Sequence, residues 1–210
     1  MLPVDDLLNW FSAFGREFPW RFTFSPYKVL VSEILLQQTN ADKVIDPYLL
    51  LVDKFPSISA LAYADDKVVT EIFSKLGLFF RANRLRTIAN EILNKNNAII
   101  PSNLDELKSI KGIGDYIGNS ILCFGYSQKR PIVDTNIIRI FNRYGLYRSP
   151  KKRPHTDMQL WSLAKSILPE ENFVEYNYSL LDLGADVCTS RKPLCESCPI
   201  NKTCLMAKNK

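Results

Sequence analysis

The feature that constrains this chain most lies at its end. Four of its five cysteines fall within the last 23 residues, as Cys188-x6-Cys195-x2-Cys198-x5-Cys204. Four thiolates so close in sequence can converge on one soft metal centre, and turns at Pro193 and Pro199 fold the segment back on itself. Three chemistries compete. Two disulfides would need an oxidising compartment, and nothing marks the chain as secreted. A structural zinc on four cysteines is common, but zinc ribbons pair two Cys-x2-Cys knuckles, and only one occurs here. The compact, unequal spacing suits a 4Fe–4S cluster better. Cys123 stands far upstream in an apolar run and is expected to be a buried free thiol.

At 210 residues the chain can bury a substantial core, as one large domain or two small lobes. A formal net charge of +5 permits a polyanionic partner without demanding one. The N-terminal MLPVDDLLNWF carries acids where a signal peptide needs bases, and no apolar run reaches membrane-spanning length. The expected setting is the cytoplasm, nucleoid-associated in a prokaryote, with no membrane partner.

Helical periodicity runs throughout. Leu7, Leu8, Phe11 and Phe14 form one stripe before a break at Pro19. The pattern predicts helices over residues 29–39, with Leu30, Ile34 and Leu35 turned inward, and over 44–55. Ser57 and Asp65 read as N-caps of two short helices, 57–63 and 65–76, the second stopped by Gly77. Further helices are predicted over 81–94, 103–109, 115–125, 133–143, 157–168 and 173–186. No alternating runs joined by a hairpin turn occur, so the expected fold is all-α. The basic, proline-bearing stretch 148–154 is expected to be an exposed connection.

Chemistry gathers at a few places. Lys111-Gly112-Ile113-Gly114 separates two helical stretches within residues 104–121. Its glycines permit a tight turn whose backbone N–H groups, at the start of the next helix, suit a phosphate, with Ile113 tucked inward. A plain interhelical turn would look the same. No strand precedes these glycines, which argues against a dinucleotide fingerprint. His155, the only histidine, sits in the basic connection and offers no triad. Asp134 follows Ile132-Val133 and precedes Thr135-Asn136, where an aspartate can cap a helix and also face a cleft. Glu33 lies among apolar residues 31–36; read alone, it is an exposed helical glutamate.

Together these residues resemble the helix-hairpin-helix DNA glycosylases of the endonuclease III superfamily. The hairpin at 110–114, the Val133-Asp134 motif of the catalytic aspartate and the cysteine spacing occur in that family's order and separation. The likeness runs from about Leu7 to Cys204. Pro19-Trp20, Pro26-Tyr27, Ser32-Glu33-Ile34-Leu35-Leu36 and Gln37-Gln38-Thr39 look like the branch acting on mismatched bases, which holds adenine glycosylases and short thymine–guanine mismatch glycosylases. Tyr176-Asn177-Tyr178 and Asp182-Leu183-Gly184-Ala185 match that branch's Phe-Asn…Asp-Leu-Gly-Ala pattern, with Tyr176 in place of Phe.

The resemblance implies two helical lobes flanking a DNA-binding cleft. One is a central barrel lobe over residues 25–131 with the hairpin at 104–121. The other combines 1–24 with 132–210 and carries the cluster loop 188–204. It implies a 4Fe–4S cluster on Cys188, Cys195, Cys198 and Cys204, a double-stranded DNA partner containing a mismatched or damaged base, and a monomer. Lys111, Gly112, Ile113 and Gly114 would meet a DNA phosphate, Gln37 and Gln38 the opposite strand, and Arg191, Lys192 and Lys202 further phosphates. Phe79 and Phe80 would form the wedge that assists base flipping. Asp134 would stabilise an oxocarbenium-like sugar and Glu33 would protonate or orient the base, with Tyr178 in the base pocket. Asn136 and Tyr116 would order the attacking group and the carboxylate. Bifunctional members carry a lysine where Tyr116 stands, so a monofunctional enzyme without strong AP-lyase activity is expected.

Two target bases contend. Adenine enzymes that recognise 8-oxoguanine carry a further C-terminal domain and tend to place glutamine at the position of Tyr178, whereas this chain ends six residues after Cys204. Gln37-Gln38-Thr39 and the length of the Phe79 loop look more adenine-type. The balance favours thymine or uracil opposite guanine, with adenine opposite guanine or 8-oxoguanine as the alternative. A non-catalytic DNA-binding module would not need Glu33, Tyr116 and Asp134 together, and a zinc-stabilised regulator would lack iron–sulfur absorbance.

Overall fold

The 3.6-residue period of the sequence is realised as helix, and among the described residues there is no strand. The computed structural model describes residues 1–74, 77 and 79–209, with Phe79 placed by its backbone alone. In chain order the helices begin with α1 (Val4–Phe14), α2 (Pro26–Leu36), α3 (Ala41–Lys54) and α4 (Ile58–Ala62). They continue with α5 (Asp66–Ser74), α6 (Phe79–Asn96), α7 (Leu104–Ser109) and α8 (Asp115–Ser120). The last four are α9 (Thr135–Tyr144), α10 (Met158–Ser166), α11 (Phe173–Asp182) and α12 (Leu205–Lys208). By contacts the chain divides into one unit of Glu17–Gln128 and another of Met1–Arg16 with Lys129–Lys210.

In the unit Glu17–Gln128, α2 packs against α3, α6 and α8. Tyr27 and every residue from Val29 to Leu35 on it are buried. Each fully buried Val, Leu or Ile contributes about 1.5–3 kcal/mol, so this helix organises the unit. A helix that is apolar all round has no solvent face. Glu33 is therefore carried into the interior and is only 6% exposed. That corrects its reading as an exposed glutamate: the charge suggested an outer face, but apolar neighbours surround the helix.

Capping decides several boundaries. Asn40 Oδ1 accepts from Asp42 N at 2.9 Å and starts α3 before the predicted position. Ser57 and Asp65 cap α4 and α5 as expected, accepting from Ala60 N at 3.1 Å and Lys67 N at 2.8 Å. The expected end of α5 at Leu76 lies outside the described residues. The stretch predicted as one helix over 115–125 is α-helical only to Ser120 and then widens into a π turn, Ile121–Gly125. A second π turn, Leu183–Val187, likewise ends α11.

In the other unit, α11 packs against α1 and α9, and α12 against α9. Leu7 is buried and the Phe11 ring stacks with Tyr178 at 6.4 Å. Phe14, expected on the same stripe, is 69% exposed. The helix stops there because the chain turns away: Arg16 donates through its backbone N and its Nε to the buried Asp182 carboxylate, each at 2.9 Å. Cys123, in the first unit, is a buried free thiol.

Candidate active site and nucleic-acid interface

The hairpin is α7, the turn at 110–114 and α8. Asn103 caps α7, and Lys108 pairs with Asp115 across the two helices. Ile113 is buried, and its N–H closes the turn on the Ile110 carbonyl at 3.0 Å. Gly112 adopts φ +107, and a Cβ there would meet Ile88 Cδ1 at 3.2 Å and Arg84 Nε at 3.3 Å. The Lys111 N–H is taken by Glu91 Oε2 at 2.9 Å, so it is not a phosphate donor as the chain stands. Lys95, together with that N–H, holds the Glu91 carboxyl below its ordinary pKa. Gly114 occupies the N-cap of α8, makes no side-chain cap, and has open space where a Cβ would be. Gly114 therefore supplies no side-chain cap at the positive end of the helix. Tyr116 sits half-buried in that first turn and the Lys111 side chain is exposed.

Residues after α2 lie in the same unit. Gln37 is half-buried, and Gln38 is exposed in the left-handed region at φ 55. Arg84 Nη1 donates to Gln37 Oε1 at 2.8 Å, and Arg81 Nη1 to the Thr39 hydroxyl at 2.9 Å. Phe80 is 65% exposed, with the Arg81 guanidinium 5.5 Å from its ring centre. The Phe79 side chain, the other wedge candidate, lies outside the described residues.

In the second unit Asp134 is the N-cap of α9, and its Oδ1 accepts from Ile137 N at 2.8 Å. Such a cap stabilises a helix by about 1 kcal/mol. Burial pushes its pKa up, while the Ile137 and Asn136 N–H groups and the Arg139 charge pull it down. Part of the residue still meets solvent. Asn177 holds the backbone leading to it: its Nδ2 donates to the Arg130 carbonyl at 3.0 Å and its Oδ1 accepts from Ile132 N at 3.3 Å. Asn136 Oδ1 accepts from Arg139 Nη2 at 2.8 Å. Gly184 comes so close that a Cβ would lie 2.5 Å from Asn136 Cβ. Tyr178 is 5% exposed beneath Phe11.

Arg139 and Arg143, one turn apart on α9, bind the chain that enters the cysteine loop. Arg139 donates to the Gly184 carbonyl at 2.6 Å and the Cys188 carbonyl at 2.8 Å. Arg143 donates to the Thr189 carbonyl at 2.6 Å, the Ser190 carbonyl at 2.7 Å and Cys188 Sγ at 3.4 Å. Sequence reasoning missed Arg139 and Arg143, and it quoted Asn177 within a motif without giving it a role. The i,i+4 spacing of the two arginines was a visible signal; the reach of Asn177 across 45 residues was not.

Cys188, Cys195, Cys198 and Cys204 line one cavity. Among the described residues no three His, Cys, Asp or Glu side chains form a group close enough to hold one metal ion. Burial, and then the three neighbouring thiols, push Cys198 up to about 11 against one backbone N–H. Four thiolates can coexist there only around a positive centre, so the donor set fits a thiolate-held metal group. Arg191, Lys192 and Lys202 on this loop are exposed.

Comparison with known proteins bears on both ends of this geometry. Residues 31–166 match the HhH-GPD superfamily base excision DNA repair protein, and residues 188–204 match the iron-sulfur binding domain of endonuclease III. The chain belongs to the HhH-GPD superfamily. It is 38% identical to the thymine-DNA glycosylase of Aeropyrum pernix, over 97% of this chain and 93% of the relative. It is 35% identical to the thymine/uracil-DNA glycosylase of Pyrobaculum aerophilum, over 96% and 90%. An adenine DNA glycosylase of Buchnera aphidicola is 34% identical over 94% of this chain, which spans 56% of that relative. The solved structure of a thermostable thymine-DNA glycosylase superposes with a TM-score of 0.91 at 29% identity, covering 99% of this chain and 95% of its own. As an HhH-GPD protein the chain carries an iron–sulfur loop at its C-terminal cysteines, and no helix among the described residues is long and apolar enough to cross a membrane.

Proposed function

We propose that this protein is a monofunctional, monomeric DNA glycosylase that removes thymine or uracil opposite guanine. The observation that carries the catalytic part is Asp134: a carboxylate held on a helix start, partly desolvated, with the segment leading to it and its neighbour Asn136 both fixed by hydrogen bonds. A carboxylate in such surroundings stabilises positive charge more strongly than one in water. As the C1′–N bond breaks, its electron pair leaves with the base and the sugar becomes cationic. Asp134 stabilises that cation, Asn136 orders the incoming water, and the water adds to C1′ and loses its extra proton to solvent. Glu33, buried on α2, protonates or orients the departing base. Tyr178 contributes to the base pocket. Gln37 and Gln38 face the opposite strand, Phe80 with Phe79 forms the wedge, and the hairpin, Arg191 and Lys192 hold phosphates.

The thymine and uracil reading is supported by the names and near full-length similarity of the two archaeal relatives. The adenine relative keeps the alternative open. Base release from duplexes containing T·G, U·G, A·G and A·8-oxoguanine decides between them. Release from T·G and U·G is expected, and release confined to the adenine pairs would overturn the assignment.

The cysteine loop would hold a 4Fe–4S cluster on Cys188, Cys195, Cys198 and Cys204, which line one cavity. Bound there, the group supplies a fixed positive centre that orders the loop carrying Arg191 and Lys192. Protein purified under low oxygen should contain about four irons per chain. Tyr116 supports the absence of lyase chemistry, because a phenol cannot form an imine with the sugar. Borohydride should trap no covalent adduct with the native protein, and Tyr116→Lys should introduce some; efficient trapping by the native chain would end the monofunctional reading.

A further inference from the structure

Helix α6 directs two arginines at the end of α2. Arg81 is 1% exposed and donates from Nη1 to the Leu35 carbonyl at 3.2 Å and the Thr39 hydroxyl at 2.9 Å. A buried charge is thus spent on the Leu35 carbonyl near the end of α2 and on Thr39 in the loop that follows. Arg84, one turn along, binds two separate segments at once. Its Nη1 donates to Gln37 Oε1 at 2.8 Å, and its Nη2 donates to the Gly112 carbonyl in the hairpin turn. Further along the same face, Ile88 lies against Gly112 and Glu91 accepts the Lys111 N–H. One stripe of α6 is therefore the seat of the hairpin, and a single guanidinium links that seat to the residue following the Glu33 helix.

A guanidinium is planar and its donors are fixed in a fork, so it transmits displacement between partners as a lysine on its flexible stem does not. It also decides which way the Gln37 amide points. An NH2 group turned toward Arg84 would set donor against donor, so Oε1 faces the arginine and Nε2 is presented on the other side. Nε2 has no protein partner among the described residues.

We propose that Arg84 is a positioning residue. It orients the Gln37 amide as a hydrogen-bond donor and keeps residues 37–39 in register with the hairpin turn. Phosphate held at Gly112 to Gly114 and an acceptor atom on the strand opposite the lesion are then engaged in one arrangement. The inference rests on the function proposed above, in which Gln37 faces that strand.

The test is a double-mutant cycle of Arg84→Met and Gln37→Ala, with Arg84→Lys as the conservative variant. Single-turnover base release and Kd are read on a T·G duplex and on duplexes with thymine opposite other bases. Arg84→Met should slow release about tenfold and flatten the preference among opposite bases, and Arg84→Lys should restore neither. Adding Gln37→Ala to Arg84→Met should cost little more, because one interaction has already been removed. Melting temperature should stay within a few degrees, and the slope of log K against log salt should not change. Additive losses would overturn the proposal, as would a wild-type Arg84→Met or a slope reduced by about one, the mark of a direct phosphate contact. Wild-type behaviour of Arg84→Met alongside an inactive Asp134→Asn would remove this inference alone. An active Asp134→Asn would remove the functional reading, while the coupling between Arg84 and Gln37 would still be read from Kd.

Discussion

Two helix starts in this molecule share almost the same backbone and differ in what fills them. The N-cap of α8, Gly114, has φ −106 and ψ −173; that of α9, Asp134, has φ −108 and ψ −176. At α9 the side chain turns back and its carboxylate caps the helix. At α8 there is no side chain and nothing occupies its place. Both starts carry the partial positive charge of a helix end. The closed one thus keeps an anion of its own, whereas the open one has none, and in the function proposed here it takes a phosphate of the DNA. In that function the same local geometry serves a catalytic carboxylate in one unit and a phosphate seat in the other, and one side chain makes the difference.

Substitutions can break or sharpen that contrast. The largest effect is expected at the closed start. Gly184→Ala places a methyl 2.5 Å from Asn136 Cβ and must displace it. Base release should fall on the order of 100-fold in single-turnover assays, with Kd for DNA changed by less than about threefold. Retained activity would show that the position of Asn136 is immaterial. A smaller effect is expected when the open start is closed. Gly114→Asp has room, gains a cap of a few tenths of a kcal/mol, and sets a carboxylate against the incoming phosphate. Thermal melting should hold or rise slightly while DNA affinity drops about tenfold; unchanged affinity would deny the α8 start a phosphate.

The mildest change is in pH dependence. Burial raises the Asp134 pKa, so the carboxylate on which the proposed catalysis depends is lost on acidification before an ordinary aspartate would be. The acid limb of the rate profile should lie above the usual aspartate range. A folded-state pKa above the unfolded one means that ionisation costs stability as pH rises through the folded value. Asp134→Asn, which keeps a capping oxygen, should therefore melt above wild type near neutrality, and the gap should close in acid.

The cysteine loop, the hairpin and most helix caps were legible because each depends on residues close in sequence. Glu33 could have been placed correctly from sequence too, since the apolar residues around it encircle α2 and leave no outer face. Gly112 was legible as the glycine of a tight turn, and its positive φ fits that reading; the contacts with Ile88 and Arg84 that also constrain it come from a distant helix and were not legible. Asn177 on Arg130 and Ile132, and Arg84 on Gln37 and Gly112, join segments 28 to 47 residues apart. No local pattern encodes such pairs; they exist only once the helices have packed. Phe14 failed for a related reason, because periodicity cannot see that Arg16 draws the chain to Asp182.

The most direct measurement is single-turnover base release from a T·G duplex by Asp134→Asn, with Kd measured on the same duplex. Release should fall by more than about 1,000-fold while Kd stays within a few-fold of wild type, since phosphate contacts dominate binding. Release at the wild-type rate would contradict the assignment of Asp134 as the catalytic carboxylate, and with it the contrast between the two helix starts.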